Sequence, residues 1–474
     1  MRSLDLLPFS ILAACAAPAP NPLAVERPNV LLIVVDDLGA TDAGCCGSEY
    51  YETPNIDRLA AGGVRFTNAY AAAAVCSPTR AALLTGRAPA RLGLTDWIRA
   101  RFQGGVRPPD GRNPSGFVRP AGCSLEVPQN PLWLEHSEVT VAEMLAPAGY
   151  ASGHVGKWHL GLCAWFPAHQ GFAFNRGGCD YGQPPSYFDP YFRDGQGDIP
   201  TLPSRREGEY LTDREADEAV AFLRAHRDEP FFLHFAPYAV HTPLQAKEEL
   251  VARYRAKPAT NHANPDYAAM VHSVDDAVGR VLSTLDELDL AERTLVIFTS
   301  DNGGFAGVTD NVPWRAGKGY PYEGGIRVPW IVRWPGVVPA GRVSDAPVIS
   351  MDLLPTIAEA CSVETPRGVA LDGQSLLAHL RSRGEEPLRR DSLFWHFPHY
   401  RDDVGGPFSI LRAGSFKLIQ WWEGPRLELY DLGADPGETR DLAASRPELV
   451  ADLRARLAAE LARVGARLPR PVAE

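Results

Sequence analysis

The chain contains short, almost wholly apolar runs that are separated by segments with helical periodicity. The runs span residues 30–35, 231–235 and 295–298, and helical patterns cover residues 139–145 and roughly 266–288. Apolar runs rich in β-branched residues are typical of parallel strands that are buried on both faces. The alternation of strands with helices therefore predicts an α/β fold, in which helices sandwich a large, mostly parallel sheet.

The pattern changes after about residue 390. Residues 408–412, 416–421 and 427–430 have the pattern of short strands, with turn residues between them, and residues 447–463 form an amphipathic helical pattern. We therefore expect a main domain over residues 27–385. A C-terminal subdomain over residues 386–474 would hold a four-stranded antiparallel sheet and a closing helix.

The first 20 residues have the pattern of a leader. Arg2 provides a weak positive charge and residues 6–14 form an apolar stretch, which is too short to span a bilayer and fits a signal peptide. The sequence Leu12-Ala13-Ala14-Cys15 also resembles a bacterial lipobox, whose cysteine is lipidated after cleavage. We expect an exported protein, either periplasmic or attached to the outer membrane of a bacterium through a lipidated Cys15.

The formal net charge of the chain is −11. Positive residues form no stripe along the sequence, which argues against a nucleic acid partner. An acidic protein that binds an anion must concentrate positive charge locally, in a metal ion or in a few basic side chains.

Polar side chains follow two of the predicted strands. Asp36 and Asp37 follow the run at 30–35, and Asp301 and Asn302 follow the run at 295–298. In α/β sheets, ligands bind beyond the carboxyl ends of the strands, so these side chains are expected at one edge. Three carboxylates and an amide oxygen suit a hard cation such as Ca²⁺. Helix capping by the two aspartates and a simple Asp-Asn-Gly turn are the structural alternatives.

The sharpest local motif is Cys76-Ser77-Pro78-Thr79-Arg80, which continues to Leu84-Thr85-Gly86-Arg87. Alone, it would describe a buried cysteine before a helix with Pro78 in the first turn. With its continuation, it resembles the signature of the formylglycine-dependent (type I) sulfatases, which belong to the alkaline phosphatase-like superfamily. The resemblance extends from residue 29 to about residue 442.

The resemblance implies that a maturation enzyme oxidises Cys76 to formylglycine. One hydroxyl of the hydrated aldehyde would attack sulfur and the other would expel sulfate, a step that a plain thiol could not perform. The family places its divalent metal, Ca²⁺ or alternatively Mg²⁺, on the modified cysteine and on four further residues. Here these ligands correspond to Asp36, Asp37, Cys76, Asp301 and Asn302.

Five basic residues complete the site that the resemblance implies, namely Arg80, Lys157, His159, His241 and Lys318. Lys157 and His159 follow a predicted strand at 151–155. Residues two positions apart in an extended segment point to the same side, so these two side chains are expected to share one. By resemblance, Lys157 and Lys318 contact sulfate, and His159 holds the hydrated aldehyde. His241 binds sulfate and is a candidate proton donor to the leaving oxygen, and Arg80 stabilises the modified cysteine. A surface pair, a structural histidine, a solvated lysine and a salt-bridged arginine are the alternatives.

The predicted activity is hydrolysis of a sulfate ester of a small molecule or glycan. Residues 177–188 resemble loops of relatives assigned to N-acetylgalactosamine or galactose sulfates, which favours a sulfated carbohydrate. One alternative is a phosphonate monoester or phosphodiester hydrolase of the same superfamily. Another is an inactive, glycan-binding relative, which would lack some of the pocket residues.

Overall fold

The computed structural model describes residues 27–98, 111–382, 385–401, 404–424 and 426–472. The predicted leader at 1–20, with Cys15, lies outside these residues. The strands are β1 (Asn29–Val35), β2 (Val64–Phe66), β3 (Ala69–Tyr70), β4 (Phe117–Val118), β5 (Leu125–Pro128), β6 (Ala151–Gly156), β7 (Phe174–Arg176), β8 (Phe231–Ala236), β9 (Thr294–Ser300), β10 (Trp330–Arg333), β11 (Arg342–Ser344), β12 (Val348–Ile349), β13 (Leu393–Phe397), β14 (Phe408–Ala413), β15 (Phe416–Trp421), β16 (Leu427–Asp431) and β17 (Arg470–Pro471). The α-helices are α1 (Pro54–Ala61), α2 (Cys76–Thr85), α3 (Pro89–Leu92), α4 (Val141–Leu145), α5 (Leu211–Ala225), α6 (Glu248–Arg255), α7 (Pro265–Glu287), α8 (Glu323–Ile326), α9 (Leu353–Ala360), α10 (Leu377–Arg381) and α11 (Pro447–Arg463).

An eight-stranded sheet forms the centre of the molecule, with the order β11-β2-β10-β9-β1-β8-β6-β7. Strands β9, β1, β8, β6 and β7 are parallel neighbours, while β10 is antiparallel to both β9 and β2. The sheet is therefore mostly parallel, as the sequence predicted.

Strand β1 shows why the sheet is covered on both faces. All seven of its residues are buried. Leu31, Ile33 and Val35 belong to a core that includes residues of α1, α5 and α7, whereas the alternate residues join a second core with residues of α2, α4 and α9. Because side chains alternate across a strand, a run that is apolar at every position requires apolar partners on both sides.

Two helix boundaries differ from the sequence prediction because capping residues determine them. Thr140 caps α4 through its side chain, which accepts the amide of Glu143, and the Glu143 carboxylate accepts the amide of Thr140. The helix therefore begins at Val141 instead of residue 139. Asn264 caps α7 through its side-chain oxygen, which accepts the amides of Asp266 and Tyr267, and Pro265 occupies the first turn of the helix.

The C-terminal sheet is antiparallel, with the order β13-β14-β15-β16, and α11 has the bounds that the sequence predicted. Strand β13 is the fourth strand of this sheet. Beyond α11, strand β17 pairs with β5 and so returns to the main part of the chain. Within the described residues, none of the helices combines the length and the apolar character that crossing a bilayer requires.

Two buried histidines connect β6 with β8. Nδ1 of His154 lies 3.1 Å from Nδ1 of His234, and Nε2 of His154 donates to the carbonyl of Gly156 at 3.0 Å. A neutral imidazole has one N–H, so Nδ1 of His154 accepts the proton of His234. Burial lowers the pKa of both rings, that of His154 to about 3. The pair thereby supports Gly156, whose positive φ of 98° turns the chain out of β6 before Lys157.

We expect this pair to make the fold less stable in acid. The imidazoles stay neutral in the folded protein but take up protons in the unfolded chain, so their contribution to stability is full above pH 6.5, the ordinary histidine pKa, and is lost as the pH falls below it, down to about pH 3 for His154. Replacing His234 with Phe removes one such group. The free energy of unfolding, from urea titrations between about pH 5 and pH 6.5, should then depend less on pH, by up to about 1.4 kcal/mol per pH unit.

His234→Phe also leaves Nδ1 of His154 without its donor, which should cost about 1–3 kcal/mol of stability at neutral pH. A variant with an unchanged pH slope would contradict the assignment of two neutral rings.

Candidate active site

Four neighbouring strands end at one edge of the central sheet, and each is followed by side chains of the predicted site. Asp36 and Asp37 follow β1, and Asp301 and Asn302 follow β9. The exit of β6 carries Lys157 and His159, while His241 follows β8. The topology therefore explains why residues more than 260 positions apart in sequence meet at one place.

Helix α2 brings Cys76 to this edge as its first residue. All ten residues of the helix are buried. Thr79 holds the segment that precedes the helix, since its hydroxyl oxygen accepts a hydrogen bond from the amide of Ala73 at 3.0 Å. The hydroxyl of Ser77 donates to the carbonyl of His159 at 3.0 Å. Because the amino end of a helix carries partial positive charge, this arrangement favours an anion beside Cys76.

The Cys76 sulfur lies where two sets of potential metal ligands meet. Asp36, Cys76 and Asp301 form one set, and Asp37, Cys76 and His241 form the other; within each set the ligand atoms lie within 4.8 Å of one another. The structure thus brings together the aspartates and the cysteine that the sequence assigned to one site.

Each of the three buried carboxylates has a basic partner. Nζ of Lys157 donates to both oxygens of Asp36 at 2.7 Å, and Nε of Arg80 donates to Asp301 at 2.8 Å. Nζ of Lys318 lies 2.6 Å from Asp37 Oδ1. Arg80 also donates to the carbonyl of Lys157 at 2.7 Å, so it anchors the exit of β6 to α2.

The residues present fit a divalent cation. Oδ1 of Asn302 is buried and has no hydrogen-bond partner among the described residues, while its amide donates to Asp37 at 2.8 Å. Burial, and then the charges of Asp301 and Asp37, raise the pKa of Asp36 well above its ordinary value despite the opposing charge of Lys157. An oxygen-rich set with crowded negative charge is the donor chemistry that hard cations prefer.

Burial also changes the acidity of the Cys76 thiol. It raises the pKa of this thiol to about 11, although the charges of Lys157 and Lys318 lower it. The unmodified side chain is therefore a protonated thiol at neutral pH and a poor nucleophile, because the thiolate is the reactive form of cysteine.

A cavity of about 460 Å³ opens above Cys76. Its walls combine apolar, aromatic, cationic, acidic and neutral polar groups: Asp37, Val75, Cys76, Trp97, Ile98, His159, Asp180, Tyr181, Gly182, Gln183, Gln196, His241, Thr242, Phe305, Lys318 and Arg401. Of the predicted site residues, Asp37, Cys76, His159, His241 and Lys318 therefore face the cavity. Asp36, Arg80, Lys157, Asp301 and Asn302 are buried beneath it.

The expectation that Lys157 and His159 share a side because their segment is extended is wrong. His159 has a φ of 61°, in the left-handed region, and β6 has already ended at Gly156. The turn directs Lys157 inward to Asp36, whereas the His159 ring lines the cavity. Both residues reach the site, but through an irregular turn instead of strand alternation.

The two cavity histidines are oriented by backbone carbonyls. Nε2 of His159 donates to the carbonyl of Ile98 at 2.9 Å, and its Nδ1 is buried without a hydrogen-bond partner in the described part of the chain. Nδ1 of His241 donates to the carbonyl of Thr242 at 2.8 Å, so Nε2 points towards Asp37, 3.5 Å away. Burial lowers the pKa of both rings, that of His241 to about 3, which leaves each with one open acceptor nitrogen.

Sequence reasoning missed most of the cavity wall. Trp97 and Ile98 come from one Gly- and Pro-rich excursion, and residues 180–183 and Gln196 come from another. The Gly- and Pro-rich composition of these segments does not indicate which of their side chains face inward. Gly182 gives one local signal, since an added Cβ would lie 2.7 Å from the His159 ring. Arg401, from the C-terminal region, had no motif at all.

Comparison with known proteins agrees with this geometry. A family model described as Sulfatase matches residues 28–363, and a model of the C-terminal region of N-sulphoglucosamine sulphohydrolase matches residues 316–466. Arylsulfatase A of Homo sapiens is 35% identical, over 94% of this chain and 90% of that protein. The N-acetylgalactosamine-6-sulfatase of Mus musculus is 34% identical, over 91% of this chain and 79% of that protein.

A solved structure has the same architecture. The crystal structure of Ps i-CgsB in complex with k-i-k-neocarrahexaose superposes with a TM-score of 0.77 at 28% identity, covering 92% of this chain and 93% of that one. The fold, the convergent site and the family match together show that this chain belongs to the sulfatase family of the alkaline phosphatase-like superfamily and is a sulfuric ester hydrolase.

Proposed function

We propose that the chain hydrolyses sulfate esters through a formylglycine derived from Cys76. The observation that carries this proposal is the position of the Cys76 sulfur, at the amino end of α2, between two sets of ligand atoms and at the cavity surface. The raised pKa of the thiol supports it further, since unmodified cysteine at this position would be poorly reactive. When hydrated, formylglycine supplies one hydroxyl that attacks sulfur and a second that allows sulfate to leave.

The cavity residues hold the sulfate group and the nucleophile in place. Lys318 keeps its positive charge, because Asp37 raises its pKa against the effect of burial, and it can bind a sulfate oxygen. Nδ1 of His159, which has no hydrogen-bond partner among the described residues, can accept a hydrogen bond from a hydroxyl on residue 76 and so orient that hydroxyl. Nε2 of His241 faces the cavity, where an anionic substrate would favour its protonation and make it the donor to the leaving oxygen.

Below the cavity, Arg80 and Lys157 act on the nucleophile indirectly. Both are at most 1% exposed and are engaged with Asp301 and Asp36. The resemblance implied a direct contact between Lys157 and sulfate, but Nζ of Lys157 is buried against Asp36 and outside the cavity wall, so we propose charge balance and positioning for both residues instead. Preorganised charge of this kind costs no rearrangement when negative charge shifts during sulfuryl transfer.

We assign the metal to Asp36, Asp37, Asp301, Asn302 and the modified residue 76, and we propose Ca²⁺ as the ion. Most of these ligands are carboxylate and amide oxygens, which favour a hard cation over a softer metal. Mg²⁺ is the alternative ion. Such an ion supplies electrostatic stabilisation to the nucleophile and to a sulfate oxygen.

The substrate that we propose is a sulfated carbohydrate. Aromatic side chains of Trp97 and Phe305 together with Gln183 and Gln196 give the cavity the mixed wall that a sugar ring with its hydroxyls requires. The names of two relatives agree with this class, since one is an N-acetylgalactosamine-6-sulfatase and the other was solved with a neocarrahexaose. Export, lipidation of Cys15 and a formylglycine-generating maturation partner belong to the same proposal.

The mass of the peptide that contains residue 76, measured by mass spectrometry, tests the modification directly. In protein from its native host, or from a host with the maturation enzyme, the peptide that contains Cys76 should be about 18 Da lighter than its sequence mass, because an aldehyde replaces the thiol. Cys76→Ala should lose sulfate release from an aryl sulfate by at least about 10⁴-fold, as expected for loss of a covalent nucleophile. An active protein with an unmodified Cys76, or an active Cys76→Ala variant, would exclude the mechanism.

Replacing Asn302 tests the metal site. Asn302→Ala removes the oxygen that lacks a hydrogen-bond partner, so Ca²⁺ affinity measured by isothermal titration calorimetry should fall about tenfold or more. Asn261→Ala, at an exposed position, is the matched control and should bind Ca²⁺ as the wild type does. Chelation should lower the melting temperature of the wild type more than that of Asn302→Ala. Equal Ca²⁺ affinity in the two variants would contradict the assignment.

The alternative reaction within the superfamily is tested by substrate choice. The same aryl leaving group should be released with a higher kcat/KM from the sulfate monoester than from the phosphonate monoester. Both esters are monoanions at neutral pH, so the expected preference rests on the sulfatase family match and not on the charge of the substrate. A strong preference for the phosphonate would favour the hydrolase alternative instead.

A further inference from the structure

Arg401 brings a cation into the cavity from the C-terminal region. It lies in the connection between β13 and β14, where its amide donates to the carbonyl of Gly405 at 3.2 Å and its carbonyl accepts the amide of Gly405 at 2.9 Å. Two residues earlier, Nε2 of His399 lies 2.8 Å from the hydroxyl of Thr95, close to Trp97 in the cavity wall. The turn is therefore attached to the main part of the chain, and it holds Arg401 at the cavity.

The guanidinium of Arg401 lies directly beside the backbone of Gly319. A Cβ added to Gly319 would lie 2.8 Å from Cζ of Arg401 and 2.9 Å from its Nη1, so no side chain fits between them. Gly319 has a φ of 91°, and its amide donates to the carbonyl of Ala74 at 2.7 Å. Arg401 therefore lies beside the residue that follows Lys318 in the chain. Through its hydrogen bond to Ala74, the same residue, Gly319, also contacts the segment that leads into Cys76.

The charges of the cavity indicate what Arg401 recognises. Lys318 lies 2.6 Å from Asp37, and Asp180 is a second carboxylate in the wall. Under the proposed function, Lys318 and His241 bind the sulfate group that is cleaved, which leaves Arg401 as a further cation of the wall. A guanidinium stays charged at every relevant pH and presents a planar fork that matches a carboxylate or sulfate in two-point contact. A neutral sugar would gain little from such a group at the wall, whereas a second anion would gain a charged partner.

We propose that Arg401 selects substrates with a second anionic group, a carboxylate or a further sulfate, close to the sulfate ester that is cleaved. The inference rests on the proposed function, because it takes the cavity above Cys76 as the sulfatase site. It adds a specificity residue outside the main domain and narrows the substrate class to acidic or multiply sulfated saccharides.

The test compares substrates that differ by one charge. The kinetic series uses a monosulfated saccharide, the same saccharide with a neighbouring uronic acid carboxylate, and the same saccharide with a second sulfate. In Arg401→Gln, the ratio of kcat/KM for a dianionic substrate to kcat/KM for the monosulfate should fall about tenfold or more, mainly through KM, as expected for loss of a charge-assisted contact. Arg401→Lys should restore part of this ratio.

Arg381→Gln is the matched control, since it makes the same change in net charge at an exposed position at the end of α10. It should leave the ratio unchanged. The two dianionic substrates separate the sources of the anion, because the arm with the larger fall in ratio identifies the group that Arg401 contacts. Equal losses on all substrates, or an unchanged ratio in Arg401→Gln, would overturn the proposal.

A binding experiment separates this proposal from the proposed function. In the Cys76→Ala background, isothermal titration calorimetry should give tighter binding of a dianionic saccharide than of the monosulfate, and Arg401→Gln should remove that difference. A chain that releases sulfate but has no such preference would overturn the Arg401 assignment alone. A chain that shows the preference but releases no sulfate after maturation would overturn the proposed function instead.

Discussion

Three buried carboxylates at one edge of the sheet impose the constraint on which the site depends. Asp36, Asp37 and Asp301 lie close together where little water can screen them, so their repulsion must be balanced by nearby positive charge. The partners come from separate parts of the chain: Lys157 from the exit of β6, Arg80 from α2 and Lys318 from the loop before α8. Charge balance therefore holds these segments together around Cys76.

The same constraint divides the basic residues of the site into two groups. Arg80 and Lys157 are inaccessible and balance carboxylates that no substrate can reach, whereas Lys318, the two cavity histidines and Arg401 line the surface that a substrate meets. An acidic protein can in this way offer a cationic cavity without a basic exterior. The buried residues fix the surroundings of Cys76, and the cavity residues form the surface that we propose for an anionic substrate.

The sequence was sufficient for the features that follow from strong local patterns. Apolar runs gave the parallel strands, and carboxylates at the ends of β1 and β9 pointed to one edge, which the structure bears out in geometry. Motif resemblance supplied the basic residues. The cavity wall could not be predicted in this way, because Trp97, Gln196 and Arg401 lie in irregular segments whose direction depends on tertiary contacts. His159 shows the same limit, since its left-handed backbone conformation broke the strand alternation expected of it.

The C-terminal region is bound to the rest of the molecule at several levels. Ile410, Leu418 and Leu453 share a hydrophobic core with Val75 and Ala82, which flank and form part of α2. Lys417, buried in β15, forms ion pairs with Glu323 of α8 and with Glu438. Strand β17 closes the connection by pairing with β5. A protein cut at residue 385 would therefore expose apolar surface beneath α2 and would remove Lys417 from Glu323, which would keep its ion pair with Arg327. The two parts are therefore expected to fold together, as one unit.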